Sequence, residues 1–173
     1  LLDKFSQILI LLIYYLEKSS NKNIYLVHHW PMNGNGYDIV GGANAIGEAY
    51  VAATKNRYEA ENKAMLFASG YFILPPKNYF LQSDFTITVW VKISSVPTST
   101  MLFDFSNGID ADNVMLSIST LTTTNPTAWI FNAAVQNNIT STTILHYNVW
   151  QHLALVYESN TIYIYRDGTI IAT

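Results

Sequence analysis

The stretch with the most chemical potential runs from residue 104 to residue 113, where acidic and amide side chains gather. Asp104, Asp110, Asp112 and Asn113 offer hard oxygen ligands there, and calcium takes about six to eight such ligands. The spacing is not that of an EF-hand, since serine and glycine stand where that loop needs ligands. The stretch predicts either a calcium site or a solvated loop whose carboxylates end turns, and the second interpretation is favoured.

Exposed aromatic rings are the second kind of side chain that could carry function. The apolar face of a sugar stacks on tyrosine or tryptophan, while nearby amides and carboxylates bind its hydroxyl groups. Four aromatic residues are candidates for such contacts: Tyr71, Tyr79, Trp129 and Tyr147. Three other tryptophans lie in strand patterns and are expected in the core: Trp30, Trp90 and Trp150.

No arrangement of residues in the sequence predicts catalysis. Glycoside hydrolysis needs two carboxylates, one to donate a proton and one to attack, and the close pair Glu59 and Glu61 lies in a polar connector. His28 and His29 are adjacent, so on a strand they point to opposite faces and cannot share a metal. The sequence has no cysteine, which excludes thiol catalysis and disulfides. We therefore expect no enzyme, and a glycoside hydrolase is disfavoured.

Composition narrows the classes of partner. Nine Lys and Arg residues stand against twelve Asp and Glu, a net charge of -3, so no global field attracts nucleic acid or an anionic membrane. We expect neither partner. The sequon Asn138-Ile139-Thr140 lies in a polar stretch and predicts an exposed loop with an N-glycosylation site at Asn138.

Residues 1–23 are predicted to lie outside the main domain. The apolar run 8–16 is flanked by lysines and is too short for a transmembrane span, which needs about 20 residues. Two interpretations stay open: a remnant of a secretion signal or anchor, and a short apolar helix packed on the domain. Residues 19–23 follow as a polar linker into a domain that covers residues 24–173.

Beyond residue 24 apolar and polar residues alternate, as half-buried strands require. The clearest strand is 84–93, and others are expected at 64–67, 71–74, 101–105, 114–118, 128–135, 152–157, 161–165 and 169–172. Asp167-Gly168 supplies the positive φ angles of a tight hairpin turn, and Glu158-Ser159-Asn160 connects the strands expected at 152–157 and 161–165. Many short strands joined by turns, without an internal repeat, predict an all-β sandwich or jelly roll.

Four stretches of the sequence, in their order and spacing, carry a family resemblance: 29–42, 64–75, 84–92 and 150–168. They include His29-Trp30-Pro31 and Tyr165-Arg166-Asp167-Gly168. Together they resemble the laminin-G-like branch of the concanavalin-A-like lectin and glucanase superfamily, over residues 28–173. The resemblance implies a two-sheet antiparallel jelly-roll sandwich. It also implies further closing strands, so we expect the domain to be truncated at its C-terminus, with one sheet edge open.

The resemblance also implies a function, that of a non-catalytic extracellular or cell-surface binding module. Its partner would be a glycan or a protein surface, met at a rim or face of the sandwich. Protein adhesion and a structural spacer in a larger protein are the alternatives. Some members of the family hold calcium at a rim, so calcium is the one cofactor that the resemblance suggests, at Asp104 and Asp112.

Overall fold

The computed structural model describes residues 7–16, 24–80, 84–94, 100–106, 113–119, 123–132 and 135–173. All named elements in these ranges are β-strands, which pair into two antiparallel sheets. The predicted all-β sandwich is confirmed. Across the same ranges the chain contains no helix that could cross a membrane.

The larger sheet has eight strands, seven of them in the order β12-β11-β10-β5-β1-β4-β3, while β2 pairs with β1. The smaller sheet has the order β6-β7-β8-β9. In chain order the strands are β1 (Gln7–Leu16), β2 (Ile24–Trp30), β3 (Gly47–Thr54), β4 (Ala64–Ile73), β5 (Phe85–Lys92), β6 (Met101–Phe105), β7 (Val114–Ser117), β8 (Thr127–Asn132), β9 (Val135–Thr140), β10 (Trp150–Glu158), β11 (Thr161–Arg166) and β12 (Thr169–Ala172).

The core lies between the two sheets. On β5 every second residue is buried, and Ile87 and Val89 pair in register with Leu155 and Leu153 of β10. Leu116 of β7 belongs to the same apolar cluster from the opposite sheet. This is the packing expected of a sandwich whose inner faces interdigitate. The other face of β5 is left for contacts outside the core.

Two tight turns fix the register of the C-terminal hairpins. Asp167 and Gly168 have φ angles of 50° and 81°, and Ser159 and Asn160 have 51° and 61°. Two consecutive left-handed residues are the mark of the turn that matches the twist of paired strands. Both predicted turns are confirmed, and they place β11 beside β10.

The apolar N-terminal run forms a strand, so the predicted helix is wrong. β1 pairs with β5 from Leu9↔Val91 to Tyr15↔Phe85, and with β2 on its other side. A continuous apolar run has no periodicity that separates a buried strand from a helix, and here the available strand partners decide. The predicted linker at 19–23 lies outside the described residues.

Irregular pairing explains other differences from the predicted strands. The strands expected at 64–67 and 71–74 are one strand, β4, which bulges opposite Tyr50 of β3. A Cβ atom on Gly70 would lie 2.0 Å from the carbonyl oxygen of Ala49, so only glycine fits at this bulge. The strand expected at 128–135 instead divides into β8 and β9.

Candidate functional site

A dense polar network surrounds Asp38, in the loop that follows β2. Its Oδ2 atom lies 2.6 Å from Nδ1 of His28. The carboxylate also accepts four backbone N–H groups, those of His29, Val40, Gly41 and Ala43. Burial alone would raise the pKa of Asp38, but these hydrogen bonds hold it well below its usual range. Because a carboxylate only accepts, Nδ1 of His28 must be the donor.

The His28 ring is packed inside the domain. It stacks on Trp30 at 5.1 Å between ring centroids and contacts Tyr79 at 5.2 Å. His28 and Asp38 are only 3 % and 6 % exposed, so a substrate cannot reach the pair. The core position predicted for Trp30 is confirmed, and the hydrogen bonds of Asp38 fix the path of the loop after β2.

Tyr79, predicted as a sugar-stacking ring, is 7 % exposed. Its hydroxyl donates to the carbonyl oxygen of Pro75 at 2.8 Å, and its ring lies 5.1 Å from that of Phe105. Burial, together with the negative charge of Asp38, raises its pKa to about 12. The surface exposure expected for Tyr79 is wrong, because an apolar ring beside the core is more stable buried.

The other three predicted rings lie on separate elements. Tyr71 of β4 is 55 % exposed, Trp129 of β8 is half-buried, and Tyr147 is 48 % exposed in the loop before β10. Tyr71 and Tyr79 line the same cleft, which neither Trp129 nor Tyr147 reaches. No ring contact joins any two of these residues. They therefore do not form a common stacking surface.

The acidic stretch is described only at its two ends. Asp104 is exposed on β6, whereas Asn113 is 4 % exposed and its carbonyl accepts the N–H of Phe131 at 2.9 Å. Asp110 and Asp112 lie outside the described residues. Where the structure does describe the chain, no group of three or more His, Asp or Glu residues could hold a metal. The calcium site stays a prediction.

Asn138, the predicted glycosylation site, is exposed but lies within strand β9. The expected loop is wrong at this position. β9 is an edge strand whose exposed residues are polar, so its composition imitates a loop. Asn138 pairs directly with Trp129, and the sequon residue Thr140 shares a 3.0 Å hydrogen bond with Thr127.

Aromatic residues cluster on the outer face of the larger sheet, away from the core. Trp90 and Trp150 are half-buried on this face, so the core role expected for both is wrong. The sequence does indicate the outer position of Trp90, because Trp90 alternates with the buried β5 residues and shares its face with Thr88 and Lys92. An aromatic residue in phase with polar neighbours indicates an outer position.

Strand register assembles the rest of this face. Trp90 pairs with His152, and their rings lie 5.2 Å apart. Ala154 pairs with Thr88 on one side and Tyr165 on the other, and the Tyr163 ring lies 6.4 Å from that of Tyr165. Directly opposite residues share a face, so the Trp90–His152 pair, the Thr88–Ala154 pair and the tyrosines of β11 lie on the same side of the sheet. We call this surface the outer platform: Arg57, Thr88, Trp90, Lys92, His152, Ala154, Tyr163 and Tyr165.

Arg57, in the loop between β3 and β4, adds positive charge to the outer platform. Its Cζ atom lies 4.4 Å from the ring centroids of both Trp90 and Tyr58, and it donates to the Tyr58 hydroxyl at 2.7 Å. Within the described chain Arg57 has no carboxylate partner. A guanidinium ordered by two rings keeps free donors for an anionic group.

His152 lies next to this charge. Burial lowers its pKa, and Arg57 lowers it further, while Asp167 opposes the change. The backbone N–H of His152 donates to Asp167 at 2.8 Å, which ties the turn after β11 to the edge of the platform. The lowered pKa of His152 favours the neutral imidazole beside the guanidinium of Arg57.

Comparison with known families matches residues 67–173, more than half of the chain, to a laminin G-type model described as the concanavalin A-like lectin/glucanases superfamily. The matched range begins within β4 and contains β5 to β12, and with them most of the outer platform. Neither curated proteins nor solved structures give a match.

Proposed function

The chain belongs to the concanavalin A-like lectin/glucanases superfamily, and from that premise we propose a non-catalytic extracellular module that binds carbohydrate at its outer platform. Membership supports a binding module in general terms. A fold alone does not choose the ligand, so the choice rests on the site.

The observation that carries the proposal is a group of aromatic rings beside short side chains on one face of the larger sheet. Tyr163 and Tyr165 lie on β11, and Trp90 lies on β5 two residues from Thr88. Ala154 of β10 pairs with both Thr88 and Tyr165 and so joins the two strands. A sugar ring has apolar C–H faces and a rim of hydroxyl groups, so it fits between ring faces and polar side chains. The half-buried rings are already ordered, which lowers the entropy cost of binding.

Charge on the outer platform favours an acidic sugar. Arg57 has no carboxylate partner among the residues described, and Lys92 lies on the same face of β5 as Trp90. A planar guanidinium binds a carboxylate or sulfate group through paired hydrogen bonds. The proposed ligand class is therefore a glycan that contains uronic acid or sulfate.

Two features support a binding role without hydrolysis. Glu59 and Glu61 lie in the β3–β4 loop, where Lys55 faces them at 4.0 Å and 3.2 Å. A hydrolase needs two carboxyl groups about 5 to 10 Å apart on either side of the scissile bond, and among the described residues the outer platform has no glutamate pair of this kind. The protein is expected to release no reducing sugar from any glycan that it binds.

A glycan array tests the proposal. The wild-type domain should bind acidic glycans, Tyr163→Ala and Tyr165→Ala should each weaken binding about tenfold, and Arg57→Gln should remove the preference for acidic over neutral sugars. Trp129→Ala, on the other sheet, is the matched aromatic control and should bind normally. An array with no signal, or equal loss in the control, would reject the outer platform as a sugar site.

A second function, adhesion to a protein, is favoured by a different surface. Ile46, Tyr50, Tyr71 and Ile73 are 65 %, 80 %, 55 % and 46 % exposed around the edge strand β3. The N–H of Ile46 donates to the carbonyl of Ile73, so these two residues are neighbours. Clustered exposed apolar side chains are typical of protein-binding surfaces. A Tyr50→Ser and Ile73→Ser double variant would abolish adhesion to a protein partner but leave glycan binding intact.

A further inference from the structure

A second site lies away from the outer platform, in a cleft of about 800 Å³ between residues 74–80 and strand β6. Its lining is mostly apolar and includes Trp30, Phe67, Phe72, Phe80, Phe103 and Phe105. None of the outer-platform residues lines it. The volume lies within the range of about 300 to 1,000 Å³ that is typical of small-molecule sites.

The walls of the cleft are ordered by ring contacts. Phe67 and Phe72 meet edge to face at 5.3 Å, and Phe80 meets Phe105 in the same way at 5.3 Å. Tyr79 lies 5.1 Å from Phe105 and extends this wall. Because the rings hold one another, the cleft does not depend on a ligand to keep its shape.

The deep part of the cleft has little capacity for hydrogen bonds. Trp30 already donates through Nε1 to the carbonyl of Ala43 at 2.8 Å, and Tyr79 already donates to Pro75. Both therefore present only ring surface. Water makes few hydrogen bonds in such a space, so an apolar group gains free energy by replacing it.

Charged side chains at the mouth set the chemistry of the other end of a ligand. Asp104 lines the cleft and is exposed, and its side chain makes no hydrogen bond or ion pair with any residue that the structure describes. Lys77 also lines the cleft, but its Nζ atom donates to the carbonyl of Gly41 at 3.3 Å. The ammonium of Lys77 is thus held at the loop after β2, whereas among the described residues no donor occupies the Asp104 carboxylate, which can accept hydrogen bonds from a cationic group.

We propose that this cleft binds a small amphiphile, with its apolar body against the aromatic walls and an ammonium group at Asp104. The site is independent of the carbohydrate function, because the two sites share no lining residue. A glycan does not suit the cleft, because its many hydroxyl groups would lack hydrogen-bond partners there. An anionic amphiphile would be repelled by the negative charge of Asp104.

Decylammonium and decanoate, at concentrations below their micelle thresholds, are a matched pair of probes. Decylammonium should raise the melting temperature and shift the NMR signal of the Trp30 indole N–H, because Trp30 lines the cleft. Decanoate should bind about fivefold more weakly, since an exposed charge pair has a modest effect. Asp104→Asn should bind the two probes equally, and Trp129→Ala should behave as wild type.

Leu74→Trp should block the cleft, because a larger side chain at this position fills the space that the probe needs. It should abolish binding of both amphiphiles while leaving glycan binding by the outer platform unchanged. If Leu74→Trp does not fold, the comparison of wild type with Asp104→Asn still tests whether the ammonium group binds at Asp104. Asp104 is exposed, so its replacement preserves the core. The proposal is overturned if neither probe shifts the Trp30 signal, or if decanoate binds as tightly as decylammonium.

Discussion

The Nδ1 atom of His28 lies 2.6 Å from Oδ2 of Asp38, and both residues are almost entirely buried. This contact joins strand β2 to the loop that follows it. Because the carboxylate also accepts backbone N–H groups of that loop, one side chain fixes the path of the chain where the larger sheet meets the apolar cleft.

Replacement of Asp38 by alanine should lower the free energy of unfolding by about 3 to 5 kcal/mol, because it leaves buried donors without an acceptor. Urea unfolding followed by tryptophan fluorescence measures the loss. Asp104→Ala is the matched control, since that carboxylate is exposed, and it should change the stability by less than about 0.5 kcal/mol. Equal effects of the two variants would contradict the structural role of Asp38.

Asp38 should also make the domain sensitive to acid. Its pKa is lowered in the folded state, so the unfolded chain takes up the proton first as the pH falls. The stabilisation is complete above the unfolded pKa of about 4 and is lost as the pH falls through the folded value. Melting temperatures between pH 6 and pH 2 should show this decline in wild type. The decline should be smaller in Asp38→Asn, and identical slopes would refute the assignment.

Tyr79 should have the opposite effect in alkali. Its pKa is raised to about 12 in the folded state, so the unfolded chain loses the phenolic proton first as the pH rises. The corresponding stabilisation is present below about pH 10 and is lost between about pH 10 and pH 12. Tyr79→Phe should lose about 1 kcal/mol at neutral pH with the hydrogen bond to Pro75, and should lose less stability in alkali than wild type. Unfolding in urea at several pH values measures both effects.

Arg57→Gln should raise the pKa of His152. Burial is the main reason that this pKa is low, but the guanidinium contributes, and its removal favours the protonated imidazole. NMR titration of the histidine ring signals measures the change. Arg166→Gln is the control, because Arg166 donates instead to the carbonyl of Ile144. An unchanged pKa of His152 in Arg57→Gln would contradict the placement of Arg57 beside His152 on the outer platform.

Gly70→Ala should destabilise the domain by several kcal/mol, because the new methyl group would lie within 2.0 Å of the Ala49 carbonyl oxygen. Gly42→Ala is a useful comparison. Gly42 has a φ of 68° but nothing within 4 Å of an added Cβ atom, so its replacement should cost only about 1 kcal/mol. Thermal unfolding of the two variants should therefore rank Gly70→Ala well below Gly42→Ala.

The sequence predicts most of the sandwich because its strands are half-buried. Alternation identifies β5, and the left-handed pairs at Ser159 and Asp167 identify two hairpins. Alternation does not identify β1 as a strand, since an apolar run without alternation fits either a helix or a central strand. β9 is not predicted as a separate strand, for a different reason: four of its six residues are polar, as suits an exposed edge strand.

The candidate site is less predictable than the fold. Trp90 could be assigned to the outer face from its phase, but its contact with Arg57 joins residues far apart in sequence and depends on how the β3–β4 loop bends. Tyr79 has no strand phase to indicate burial, because it lies in a loop. Only tertiary packing places its ring beside His28.

An NMR titration of the isotope-labelled domain with a tetrasaccharide that contains uronic acid tests carbohydrate binding at the outer platform most directly. Amide signals should shift along β5, β10 and β11 around Trp90, His152 and Tyr165, and Arg57→Gln should weaken the effect. No shifts at millimolar sugar, or shifts confined to the other sheet around Trp129, would contradict carbohydrate binding at the outer platform.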